Sequence, residues 1–294
     1  MDIGYYPGCS LTGTAKEYDQ SIRRIFSELG VNLIEVEDWS CCGATSAHAT
    51  NHLLSLALPL RNINLAKRQG LKELFIPCAA CYNRFVVAQY EVNRDASVRK
   101  EIENILEEPI DADIKIVNMI EMFEYIGKDA ITARKTKDLK GFKVAAYYGC
   151  LLLRPPAVVK FDDPEQPSSM EEIIRLTGAE PIEWSFKTEC CGASHSITNT
   201  NIVVTLSKRI IDDAREMGAE AIIVACPMCH SNLDMRQRNI AKVDAQHRNM
   251  PVLYLSELVG ISMGLDREAL GLNLHFIDTE PVLSRFSTAI VAKE

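Results

Sequence analysis

Ten cysteines fall into one five-member frame that occurs twice, and this frame constrains the chain more than any other feature. Cys9 is followed by the adjacent pair Cys41 and Cys42, then by Cys78 and Cys81 at CxxC spacing; Cys150 is followed by Cys190 and Cys191, then by Cys226 and Cys229. No cysteine is left over. The repeat reaches beyond cysteine: Tyr5-Tyr6-Pro7-Gly8-Cys9 matches Ala146-Tyr147-Tyr148-Gly149-Cys150, Cys41-Cys42-Gly43-Ala44 matches Cys190-Cys191-Gly192-Ala193, and Val117-Asn118-Met119-Ile120-Glu121-Met122 resembles Leu253-Tyr254-Leu255-Ser256-Glu257-Leu258. A repeat this long means two whole domains rather than a solenoid. The charged stretch Lys128 to Lys143, where apolar periodicity lapses, is the expected boundary, giving domains 1–140 and 141–294.

Periodicity predicts the architecture of each half. Ile22, Ile25, Phe26 and Leu29 recur at helical spacing before Gly30, and Ile173 to Gly178 is the matching segment of the second half. Leu53, Leu56, Leu60 and Ile63, and then Val203, Leu206 and Ile210, mark the core faces of longer helices. Short apolar runs, Leu33 to Val36, Leu74 to Ile76, Val144 to Tyr148 and Ala221 to Ala225, alternate with these helices and read as strands. The alternation predicts an α/β fold of two similar Rossmann-like halves with parallel sheets, related by internal duplication. In such sheets ligands gather at the carboxyl ends of strands. Cys9, Cys78, Cys150 and Cys226 each follow a strand-like run directly, and the adjacent pairs follow the middle strands by a few residues. Five thiols are therefore expected to converge in each half.

Composition narrows the functional classes. With 294 residues, 47% hydrophobic, the chain can bury one large core or two ordinary ones. A formal net charge of -8 without a basic stripe argues against nucleic-acid binding. The longest apolar stretches, such as Leu53 to Leu60 and Ala221 to Cys226, fall short of the roughly 18 residues expected of a membrane helix. Met1-Asp2-Ile3-Gly4 runs straight into a strand-like segment with no charged n-region or apolar h-region, so a cytoplasmic location is expected. In a reducing compartment ten cysteines point to metal binding or catalysis rather than disulfides.

Structural zinc takes four tetrahedral ligands, commonly two CxxC pairs, and would leave one thiol of each set idle. A cubane iron-sulfur cluster also takes four thiolates, and its closely spaced ferredoxin signature is absent. Adjacent cysteines reach one large centre only if the backbone bends sharply, which Gly43 and Gly192 permit. A cluster larger or more open than a cubane fits the five-cysteine frame better.

The doubled pattern of a lone cysteine, Cys-Cys-Gly and CxxC, with Tyr5-Tyr6-Pro7-Gly8-Cys9 near the start and Ala225-Cys226-Pro227-Met228-Cys229-His230 near the end, resembles the B subunit of heterodisulfide reductase, a CCG-domain iron-sulfur protein. The resemblance implies two noncubane 4Fe-4S clusters, one held by Cys9, Cys41, Cys42, Cys78 and Cys81, the other by Cys150, Cys190, Cys191, Cys226 and Cys229. It further implies a disulfide substrate between the clusters, coenzyme M-coenzyme B heterodisulfide or a bacterial equivalent, each cluster delivering one electron. The implied partners are the flavin-containing subunit of the same complex and its ferredoxin-like subunit. No GxGxxG follows a strand, so electrons are expected from such a partner. The same cysteine pattern occurs in quinone-reactive or electron-transfer subunits of succinate, fumarate, lactate or glycolate oxidoreductases. A zinc-stabilised docking scaffold is the third reading.

Among polar residues, His48 and His195 lie a few positions past the two Cys-Cys-Gly turns and are the proposed catalytic proton donors, weighed against hydrogen bonding to cluster sulfur or helix capping. His230 and His52 read as structural. Arg84, Arg154, Lys208 and Arg209 could meet an anionic substrate, although solvated surface charge is the simpler account. Met119 to Met122 reads as core packing.

Overall fold

The structure is a computed structural model that describes residues 1–286. The first sheet holds β1 (Asp2–Tyr5), β2 (Asn32–Glu35), β3 (Glu73–Phe75) and β4 (Lys115–Val117) in the order β2-β1-β3-β4. The second holds β5 (Lys143–Tyr147), β6 (Glu180–Pro181), β7 (Ala221–Val224) and β8 (Val252–Tyr254) in the order β6-β5-β7-β8. Every pairing is parallel; Tyr5 stands opposite Glu35 and Phe75, and Tyr147 opposite Val224. The four expected strands correspond to β2, β3, β5 and β7.

This order has a chemical consequence. The chain leaves β1 toward one edge to form β2 and then crosses back to form β3 on the other side. Each sheet therefore has its topological switch point between its two central strands, where strand ends open a crevice. Cys9 and Cys78 follow β1 and β3; Cys150 and Cys226 follow β5 and β7. The adjacent cysteine pairs follow β2 and β6, which are second in chain order but lie at the sheet edges.

The halves pack reciprocally. The helix Lys16–Glu28 of the first half, with Ile22, Ile25 and Phe26 buried, packs on the helix Leu255–Ser262 that follows β8. The helix Ser169–Leu176 of the second half packs in the same way on Met119–Ile126, which follows β4. Exchange of equivalent elements is what a pseudo-twofold relation produces. At this interface Tyr18 and Tyr254 stack at 3.9 Å between ring centroids, and the Ser21 and Ser256 hydroxyls meet at 2.7 Å. Such an aromatic pair contributes roughly 0.5–1.5 kcal/mol beyond its buried area.

The charged stretch between the sheets is not a slack linker. It contains the helix Lys128–Arg134, buries Ile131, Leu139 and Phe142, and donates the Thr136 and Lys137 amides to the Ser262 carbonyl. Three apolar anchors suffice here although no continuous stripe runs through the segment. Among the described residues, no helix is long and apolar enough to cross a membrane.

Candidate metal centre at the junction of the halves

Each thiol set is assembled by local devices that repeat. Cys78 and Cys226 stand at the N-termini of the helices Ala79–Arg94 and Pro227–Met235, and Cys81 and Cys229 lie in the first turns of those helices. The edge-strand loops are pinned by tyrosines: Tyr6 Oη donates to the Ser40 carbonyl at 2.8 Å and Tyr147 Oη to the Glu189 carbonyl at 2.6 Å, each just before an adjacent pair. Gly43 and Gly192 then turn the chain with φ of +72° and +78°. That turn folds the Gly43 amide back onto Cys41 Sγ (3.4 Å) and the Gly192 amide onto Cys190 Sγ (3.3 Å).

The ten cysteines are free, and the five of each set converge as the frame predicts. Cys9 and Cys41 sulfurs lie 3.8 Å apart, Cys42 and Cys81 3.1 Å, and Cys191 and Cys229 3.6 Å. Hydrogen bonds from neighbouring thiols, Cys42 first, pull Cys41 down to about 2, and that from Cys150 pulls Cys190 down to about 6. The same sharing pushes Cys42 up to about 12, through Cys41 first, and raises Cys9, Cys150, Cys81 and Cys229. Crowded thiols ionise singly because each anion opposes the next; bound cations would let all five lose their protons.

The spacing also bears on which cation. A tetrahedral zinc with sulfur at about 2.3 Å brings its four thiolates to about 3.8 Å from one another. Among the described residues the one group with three ligand atoms mutually within 4.8 Å contains no cysteine. Each set is therefore spread around a volume wider than one ion, as a polynuclear cluster requires.

The two sets adjoin. A cavity of about 190 Å³ lies among the first five cysteines and is closed by Ser196, Met228, Ser231 and Asn232 of the second half. The second five line a cavity of about 90 Å³ closed by Ala44, Thr45, Ala79 and Ala80 of the first half. Ala44, Thr45, Ala80 and Met228 border both. Cys78 and Cys226 meet across this wall, with Cys78 pushed up by its hydrogen bond with Cys226. Among the described residues, no Asp, Glu, Lys, Arg or His side chain lines either cavity.

The polar candidates divide. His48 is exposed, and its Nδ1 accepts from Arg84 Nη1 at 2.7 Å, which requires the neutral imidazole. Burial first, then the Arg84 charge, lowers its affinity for a proton. His195 is exposed beside Cys190, whose ionisation it favours. Neither histidine lines either of these cavities. His230 is buried, with Nε2 on the Val252 carbonyl, and His52 is exposed at the start of the helix His52–Arg68. Arg154 pairs with Glu165, Lys208 with Asp212 and Asp244, and Arg209 lies over Phe186. Met119 and Met122 are core. The wall residues Thr45, Ala80 and Met228 had no individual signal in the sequence. Asn232 alone was traceable, because it stands three residues after the second CxxC where Arg84 stands after the first.

Paired parallel sheets with a convergent thiol set at each switch point define an iron-sulfur protein of electron transfer. The CCG cysteine-rich domain model matches residues 3–86 and 144–234. The chain belongs to this family of CCG cysteine-rich domain proteins. It is 30% identical over 280 residues to the 8-methylmenaquinol:fumarate reductase membrane anchor subunit of Wolinella succinogenes, covering 94% of this chain and 97% of that one. It is 24% identical over 290 residues to the B subunit of the ferredoxin/F(420)H(2)-dependent CoB-CoM heterodisulfide reductase of Methanosarcina acetivorans, covering 96% of each. The fold is shared with the crystal structure of a hypothetical protein from Helicobacter pylori, with a TM-score of 0.73 at 12% identity, over 94% of this chain and 51% of that one.

Proposed function

We propose that this chain is the disulfide-reducing subunit of a heterodisulfide reductase-type complex. Residues 1–140 and 141–294 act as two cluster-binding domains, each holding a noncubane 4Fe-4S centre through its five cysteines. The observation that carries this reading is the shared wall at Ala44, Thr45, Ala80 and Met228, which sets the two thiol sets side by side. When bound, the centres supply single electrons, whereas a disulfide takes two electrons and two protons to become two thiols. Two adjoining one-electron centres meet that requirement. The uncharged wall excludes carboxylates that would repel nascent thiolates, and Met228 with the alanines offers an apolar seat for a sulfur pair. Electrons would arrive from the flavin-containing subunit of the complex through its ferredoxin-like subunit.

A second reading is favoured by the fumarate reductase relative, which spans nearly the whole chain: electron transfer with a quinol in a fumarate or succinate oxidoreductase complex. One experiment separates these readings from a zinc scaffold and from each other. Anaerobically purified protein should contain about eight irons, from two four-iron centres. Once reduced, it should be reoxidised by a small disulfide and not by a menaquinone analogue. Stoichiometric zinc without iron would exclude both redox readings, and reoxidation by the quinone alone would transfer the assignment to the second.

For the protons, His195 is assigned over His48, whose Nδ1 is committed to Arg84. A general acid contributes a factor of about 10² to 10⁴. His195→Gln should slow thiol release within that range at unchanged iron content, while His48→Gln should leave it near the parent rate. Parent rates in both variants, read by single-turnover thiol counting, would make solvent the donor.

A further inference from the structure

Behind the second thiol set lies a separate group of ligand-type side chains. His230 and Asp234 sit one turn apart on the helix Pro227–Met235, both buried, and His275 is brought against them by the chain beyond the helix Leu255–Ser262. One ligand atom of each lies within 4.8 Å of the other two. Neighbouring hydrogen bonds determine which atoms are open. His230 Nε2 meets the Val252 carbonyl at 3.1 Å and must donate, which leaves Nδ1 with the lone pair. His275 Nε2 meets Glu257 Oε1 at 2.8 Å, and its Nδ1 is buried without a partner. Both side chains of that pair are 0% exposed. Glu257 is itself held by the Tyr254 amide at 2.8 Å. Asp234 accepts from the Phe276 and Ile277 amides at 2.7 and 3.0 Å, fastening the chain beside His275 while keeping lone pairs to spare.

A buried nitrogen with no partner is left desolvated at a cost to stability. An imidazole whose far N–H is held by a carboxylate or a backbone carbonyl has the arrangement that orients ligating histidines toward a metal. Both features meet here. We propose that His230, Asp234 and His275 bind a divalent first-row transition ion of the zinc or ferrous type, distinct from the thiol-bound centres. Two imidazoles and one carboxylate suit such an ion, whereas calcium and magnesium need more oxygen ligands and cuprous ion prefers sulfur. The ion ties residues 275–277 to the helix that presents Cys226 and Cys229, so its role is to hold that helix in place. The site does not depend on what the thiol-bound centres reduce.

The test uses the full chain with its clusters in place. Metal analysis should find about one divalent ion per chain beyond cluster iron, lost in His275→Gln and in Asp234→Asn with cluster absorption retained. Because either variant could lose stability, the unmutated protein is also stripped with a chelator that spares the clusters and titrated with Co²⁺. The expected result is about one equivalent giving weak ligand-field bands without thiolate charge transfer, together with a raised thermal midpoint. Thiolate-type bands, no uptake, or unchanged metal content in both variants would overturn the proposal.

Discussion

Cys42→Ala is expected to halve the iron content, to about four per chain, and to leave the second centre spectroscopically intact. Cys42 is 2% exposed and lies 3.1 Å from Cys81, at the heart of the first set, so its loss removes an anionic ligand that nothing nearby can replace. The fold should survive, because cysteine to alanine deletes a single buried atom and the surrounding side chains are unchanged. The second set draws all its ligands from residues 150–229, and the first half supplies only Ala44, Thr45, Ala79 and Ala80 to its wall. Cys191→Ala should give the mirror image. In either variant the remaining centre should still accept an electron, while two-electron turnover of a disulfide is lost. Iron analysis with low-temperature electron paramagnetic resonance reads each centre separately. Disappearance of both signals after one substitution would show that the centres assemble cooperatively through the wall.

Gly43→Ala should disable the first centre, and Gly192→Ala should damage the second far less. Both glycines hold positive φ, which costs a residue with a Cβ roughly 1–2 kcal/mol. Their surroundings differ. A Cβ at Gly43 would stand 2.7 Å from both Ala47 Cβ and Leu58 Cδ1, and the short helix Ser46–Thr50 that carries Ala47 must move to admit it. That movement displaces Cys41 and Cys42 directly. At Gly192 the nearest atom is Leu206 Cδ1 at 3.1 Å, the far end of a side chain that can swing away. The expected outcome is loss of roughly half the iron together with a lower thermal midpoint for Gly43→Ala, and near-parent iron for Gly192→Ala. Equal damage at the two positions would mean that left-handed strain, not the Ala47 contact, sets the penalty.

Much of the architecture was legible because it is local and periodic. Alternating helical stripes and short apolar runs predict β2, β3, β5 and β7, since burying one face of a helix or both faces of a strand leaves its period in the residues themselves. The duplicated Cys-Cys-Gly and CxxC frame likewise announces convergence, because parallel sheets bring strand ends together at a switch point. The Lys128 to Lys143 stretch was less legible: Ile131, Leu139 and Phe142 anchor it one at a time, and isolated contacts leave no period. The histidines illustrate a different limit. His48 stands five residues after Gly43 and His195 three after Gly192, and among the described residues only His48 is hydrogen-bonded to an arginine; the second half carries Asn232 where the first carries Arg84.

The sequence by itself determined that there are two like halves, that each gathers five thiols, and that those thiols suit iron and sulfide rather than disulfide bonds. Tertiary structure alone decided that the two sets share a wall. Cys78 and Cys226 come together only because the helix Lys16–Glu28 docks on Leu255–Ser262 while Ser169–Leu176 docks on Met119–Ile126. It also decided that His275 closes on His230 and Asp234, through backbone bonds at Phe276 and Ile277. Contacts of this kind depend on the shapes of whole packed surfaces, and no residue carries a pattern that names its partner across them.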